Sequence, residues 1–262
     1  MGVREETRPR EDARASTGPV VVYGVVRSGI SLDGAPSGLG GAAVQLAESD
    51  DLAALVSAVG DGDLRARRRD VMAHARVLEH ALASSPVLPL RFGTVFEDED
   101  AVVSRLLVAR RDELRALLAR FEGRVELRVK AFHVEDEVLR DVVRGDPAIA
   151  RLSEATRALP EGLPHPQRLQ LGEAVARRVE LERRADADAI LDRLRPLAEE
   201  VAAEPEPPAG FVLSASFLVG RDDVAAFDAA MDDLARRHAR RIKFKYLGPL
   251  PSHSFASFEA VS

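Results

Sequence analysis

Between Arg124 and His133 the sequence RVELRVKAFH alternates polar and apolar side chains, with Val125, Leu127, Val129 and Ala131 at every second position. A period of two marks a half-buried strand, because successive side chains of a strand point to opposite faces. The chain must therefore build a sheet with a covered side. An earlier run, Val20–Arg27 (VVVYGVVR), is rich in β-branched residues, too short for a helix, and bounded by Gly18-Pro19 and Ser28-Gly29. It reads as a second, more deeply buried strand.

The glycine-rich stretch 29–41 reads as a loop, residues 42–47 as a short strand, residues 51–59 as a helix capped by Asp50, and residues 64–83 as a helix with an apolar stripe. Residues 87–92 (VLPLRF) read as a strand in which Pro89 points to an edge position. After a turn at Gly93-Thr94, four acids at 97–100 open an amphipathic helix that runs to Phe121 and closes at Gly123. Beyond the alternating strand come two short helices at 134–143 and 147–159, a break at 160–166, and a long helix over 167–203. A proline connector at 204–208, a strand at 211–219, a helix at 222–240 and a strand at 241–247 follow.

The predicted fold class is α+β: two domains, each an antiparallel sheet with helices on one face in the manner of a ferredoxin-like variant, plus a long helix and a C-terminal tail. The 262 residues suffice for two such domains. The expected boundaries are a disordered arm at 1–19, an N-terminal domain at 20–122, a C-terminal domain at 123–247 that includes the long helix, and the tail at 248–262.

Composition narrows the chemistry. The absence of Cys removes disulfides, thiolate catalysis and Cys-based metal sites, and it suits a reducing cytoplasm. With no Trp and only Tyr23 and Tyr246, a base- or sugar-stacking platform has little to be built from. Thirty-seven basic against 43 acidic residues give a net charge of -6, so no nucleic-acid partner is expected. Residues 1–18 lack the apolar core of a secretory signal, and no stretch reaches the roughly 18 apolar residues of a membrane span. The expectation is a cytoplasmic protein without a membrane span.

The six histidines are scattered, and His74 and His80, six residues apart, diverge around a helix axis, so no metal site is expected. Neither a P-loop, a Gly-x-Gly-x-x-Gly opening nor a Gly-x-Ser-x-Gly elbow is present. No cofactor and no catalytic residue are therefore expected. The acids at 97–100 and the arginine clusters at 67–69 and 236–241 read as a helix start and solvated helix faces. Lysine occurs only at Lys130, Lys243 and Lys245, all on predicted strands.

Several segments, in order, resemble the GvpF/GvpL family of gas vesicle proteins. They are Val22-Tyr23-Gly24-Val25-Val26; His80 followed by the block VLPLRFGTVF at 87–96, similar to the family's VLPxRFGTxF; and Glu126-Leu127-Arg128-Val129-Lys130. Leu171-Gly172-Glu173 with the acids and arginines at 180–184, and Gly248-Pro249 followed by Ser254-Phe255, complete the set. Leu250 and His253 stand where the family usually has Trp and Tyr. The resemblance implies a two-domain accessory protein, not an enzyme, that takes part in gas vesicle assembly and binds the hydrophobic shell protein and other gas vesicle accessory proteins. A ferredoxin-like small-ligand-binding or monooxygenase-type enzyme domain is the alternative, and no motif here speaks for it.

The partner-binding candidates carried by these motifs are Arg91, Phe92, Gly93, Thr94, Lys130, Pro249 and Phe255. Arg91 can meet an acidic partner group with Phe92 as an apolar anchor. Equally, Arg91 can tie the turn to the following helix, with Gly93 supplying backbone freedom and Phe92 lying in the core.

Overall fold

Strand β1 (Val20–Arg27) forms where the sequence puts its β-branched run, and seven of its eight residues are buried. The computed structural model describes residues 18–60, 67–157, 166–208 and 210–256. Residues 1–17 of the expected arm and most of the expected break at 160–166 lie outside them. The chain divides into two compact units, Met1–Glu122 with Ala256–Ser262, and Gly123–Phe255.

In the first unit β1 pairs antiparallel with β3 (Leu52–Ala58) on one side and with the two short strands β4 (Leu88–Pro89) and β5 (Val95–Phe96) on the other. Strand β2 (Gln45–Ser49) adds outside β3, giving the order β2-β3-β1-β4. Pro89 stands on an edge strand, where its missing N–H removes no ladder bond. Helix α1 (Arg68–Leu82) buries Ala73, Val77, Leu78 and Ala81, spaced at three and four residues, against the sheet. Inside this layer the Tyr23 hydroxyl is hydrogen-bonded to Ser57 Oγ at 2.7 Å and accepts from the Leu39 N–H at 2.8 Å, which fastens the glycine-rich loop to the sheet. Burial pushes the Tyr23 phenol up.

Two expectations for this unit fail. Residues 51–59 are not a helix: Leu52–Ala58 is a strand whose side chains from Leu52 to Ser57 are buried on both faces between β1 and β2, so the nearly continuous apolar run mimics a buried helix. Asp50, at φ +51°, makes the hairpin turn where a helix cap was expected. The second expectation, one helix from the acids to Phe121, is broken into α2 (Glu99–Ala101), a π-helical stretch Val102–Val108 and α3 (Arg111–Arg120). The break lies at Arg110 (φ -119°, ψ 21°), just after an i→i−5 bond from Ala109 N–H to Ser104 O at 3.2 Å.

The second unit runs β6 (Arg124–His133), α4 (Glu135–Gly145), α5 (Pro147–Arg157), α6 (Pro166–Leu194), β7 (Glu200–Ala203), β8 (Phe211–Gly220), α7 (Val224–Arg237) and β9 (Ile242–Leu250). Its sheet is antiparallel throughout, in the order β7-β8-β6-β9. That is the strand order of a split βαβ fold. The first unit has the same order with the glycine-rich loop in place of the first crossover helix. One sheet face, carrying Leu127, Val129 and Phe217, lies under the helices, where Phe217 and Tyr246 meet the α7 ring of Phe227 at 5.1 and 5.9 Å. The long helix stops at Leu194 instead of reaching residue 203, because Pro196 turns the chain through a 3-10 turn into edge strand β7. At the other end, β9 continues past Leu247 to Leu250, so the first residues of the expected tail belong to the sheet.

Candidate partner-binding sites

In the first unit the chain leaves β4 at Leu90, whose N–H still reaches the Tyr23 carbonyl at 2.9 Å, and reverses through Arg91, Phe92, Gly93 and Thr94. Thr94 closes the turn: its N–H and its hydroxyl both donate to the Arg91 carbonyl, at 3.2 and 2.8 Å. Gly93 has φ +86°, a conformation that costs other residues a Cβ clash. Phe92 is half-buried, edge-on to His74 at 5.7 Å, and His74 Nε2 donates to the Leu90 carbonyl at 3.2 Å. Arg91 is exposed. Gly93 and Thr94 thus shape the turn and Phe92 secures it, with Arg91 on its exposed side. The acids that follow serve the helix start, as Asp98 accepts from the Ala101 N–H at 2.8 Å and Glu97 pairs with Arg105.

The other three candidates lie in the second unit, around a group that sequence reasoning passed over. Glu126 is fully buried on the sheet face away from the helices. Its carboxylate accepts from Arg128 Nη2 at 2.6 Å, from the hydroxyls of Ser216 and Ser254 at 2.9 and 2.8 Å, and from the Ser254 N–H at 2.7 Å. A buried carboxylate is tolerable only when its lone pairs are filled in this way. Through Ser254 it pins the segment that carries buried Phe255. Pro249 is exposed at the bulge where the β6–β9 register skips between Glu126 and Arg128. Lys130 is half-buried, 5.7 Å from the centre of the Phe211 ring. Lys130 and Ser254 both line a cavity of about 430 Å³, together with Arg128, Ser214, Ser216 and Glu204.

A third feature runs along α6. Arg241 donates to Glu182 at 2.6 Å and to Asp186 at 2.8 Å, and His133 Nε2 lies 2.8 Å from the same Asp186 oxygen. Burial pushes Asp186 up, but the bonds from His133 and Arg241 outweigh it and hold the carboxyl below its ordinary value. The Arg241 bond likewise holds Glu182 down, and nearer the solvent Arg183 and Arg184 bring Glu180 to about 2. Beside this helix, Val138, Leu139, Val179 and Phe211 line a groove of about 350 Å³ with His133, Glu135 and Arg183. Leu169 and Leu181 of α6 are exposed. Among the described residues no group of three or more His, Asp or Glu side chains gathers to hold a metal ion, and no helix is long and apolar enough to cross a membrane.

Residues 19–257 match the family described as gas vesicle synthesis protein GvpL/GvpF. The chain belongs to the GvpL/GvpF family. Among its relatives, gas vesicle protein F of Streptomyces sp. (strain CB03234) is 39% identical over 239 residues, covering 89% of this chain and 98% of that protein. Gas vesicle protein L of the same strain is 32% identical, covering 90% and 91%. The crystal structure of GvpF from Anabaena sp. PCC7120 superposes with a TM-score of 0.79 at 22% identity, over 92% of this chain and 99% of that one. GvpF from Microcystis aeruginosa superposes at 0.75 and 21% identity, over 93% and 100%. The α+β fold with its two sheets is thus the fold of GvpF proteins, and membership of the GvpL/GvpF family gives the chain a gas vesicle-related role.

Proposed function

We propose that this chain is a cytoplasmic, non-enzymatic accessory protein that binds the hydrophobic shell protein of the gas vesicle and assists nucleation and assembly. The observation that carries this reading is the family match over residues 19–257, which takes in both units and every motif described above. A subunit destined for a water-excluding wall exposes apolar surface before it is incorporated, and such surface aggregates unless covered. The groove beside α6 and the exposed Leu169 and Leu181 offer apolar surface of the required kind. In the first unit Arg91 and Phe92, held by Gly93 and Thr94, form the contact we assign to a partner, and Lys130, Pro249 and Phe255 form a second one in the other unit. Other gas vesicle accessory proteins are further partners in this reading.

Co-expression with the shell protein tests it. The chain should co-purify with the shell protein and raise its soluble fraction; indifference on both counts sinks the reading. Arg91→Ala should lower the retained shell protein at least about fivefold, the loss of more than about 1 kcal/mol expected when a contact arginine is truncated, in a variant whose circular dichroism matches that of the parent. Unchanged retention would make Arg91 a structural residue only.

A further inference from the structure

All three lysines of the chain fall on one surface. Lys130 on β6 stands directly opposite Lys245 on β9, and Lys243, two residues along β9, stands opposite Phe132. Directly paired residues share a face, so the three ammonium groups belong to the sheet side away from α7. Like charges facing each other across strands repel and lower stability. Arginines close to β9 in the chain are paired with acids instead: Arg240 with Glu137 and Asp141, Arg241 with Glu182 and Asp186, and Arg237 with Asp233. Among the described residues no side-chain hydrogen bond or ion pair involves the ammonium groups of Lys243 and Lys245, and Lys130 has the Phe211 ring.

Among the described residues of these strands and their ends, Glu126, Glu200 and Glu204 are acids on this face. Glu126 is saturated by its own donors; Glu204, just past β7, lines the same cavity as Lys130, and Glu200 stands on β7, with β8 and β6 between these two acids and the β9 lysines. Lysine on an outer strand deters unwanted strand pairing, which covers Lys243 and Lys245. It does not cover Lys130, which sits on the inner strand β6.

We infer that this face binds an acidic polypeptide segment of a partner, laid in extended form along β9 with carboxylates at alternate positions against Lys243 and Lys245, while Lys130 on the neighbouring strand adds positive charge behind them. The two β9 lysines lie one strand repeat apart, about 6.6–6.8 Å, which is also the repeat of same-face side chains on an incoming strand. Among the described residues strand β9 ends the sheet and is paired on one side only, an edge of the kind that accepts strand addition. A small oxyanion fits worse, because Arg128, Ser216 and Ser254, the donors that would cradle it, are already committed to Glu126. The inference goes beyond the assembly role and does not depend on shell binding.

Fluorescence anisotropy on the full chain tests it, with a labelled ten-residue peptide of alternating Glu and Val as probe and its Gln–Val counterpart as control. The Glu–Val peptide should bind and weaken as salt is raised, and Lys130→Gln/Lys243→Gln/Lys245→Gln should weaken it at least about tenfold. Arg67→Gln/Arg68→Gln/Arg69→Gln, which removes equal charge elsewhere, should leave it unchanged. Equal loss in the two triple variants, equal binding of the Gln–Val peptide, or displacement by equimolar inorganic phosphate would each overturn the proposal. The lysine variant should melt at or above the parent temperature, since repulsion is relieved, whereas a lower melting temperature would mark the lysines as structural and overturn it. The exposed pair Lys243→Gln/Lys245→Gln gives the same readout should the triple variant not fold.

Discussion

Glu126 shows how a single residue can be prominent in a motif and still have its work hidden. Its position in ELRVK is visible, and its face of the strand follows from the alternation, but two of its donors, Ser216 and Ser254, come from 90 and 128 residues away. Only folding brings them in. Glu126→Gln keeps the size of the side chain and removes the charge that Arg128, Ser216 and Ser254 converge on, so it should cost about 1.5–3 kcal/mol, read as a lower urea midpoint. It should also speed amide exchange at Ser254, whose N–H is held by that carboxylate. An unchanged midpoint and exchange rate would show the network to be dispensable. The turn at Arg91–Thr94 is the opposite case: a Gly and a Thr four and five residues past a strand-edge Pro carry the local chemistry of a turn in the sequence itself, and the structure uses both in that way.

Among the elements, α6 depends least on its own apolar stripe. Over its 29 residues only Ile190 and Leu194 are buried, and charged bonds from Arg241 and His133 fasten its middle to the sheet. Glu182 and Asp186 have carboxyls held below their ordinary values in the folded state, so the folded state binds fewer protons than the unfolded one as pH falls. Their contribution is complete above the unfolded carboxylate range, about pH 4, and drains away as pH falls through the depressed folded values. Urea midpoints should therefore drop below about pH 4 through these carboxyls, with a shallower drop in Asp186→Asn. A parallel drop in the variant would put the acid sensitivity elsewhere. The sequence showed this helix by propensity but placed its end nine residues late, because nothing local outweighs the helical preference of LAEEVAA except Pro196 and a pairing with β8 that is invisible until the sheet exists. The same competition, resolved by tertiary pairing, turned the expected helix at 51–59 into β3.

At the scale of the whole molecule, two sheets share one strand order while differing in what fills the first crossover, and each has its own buried layer. We expect the fragment Gly123–Phe255 to unfold cooperatively on its own, with a sigmoidal melt by circular dichroism; a broad, featureless melt would show that it leans on the rest of the chain. The α+β class was legible because alternation and amphipathic stripes are written locally, whereas strand order was not, since it depends on pairings between residues far apart. Having all three lysines on one side of one sheet has a practical corollary. Apart from the amino terminus, a reagent that acylates primary amines finds only that side, so a coupled dye reports on one surface, and molecules tethered to a support through these amines all present the same aspect to whatever flows past.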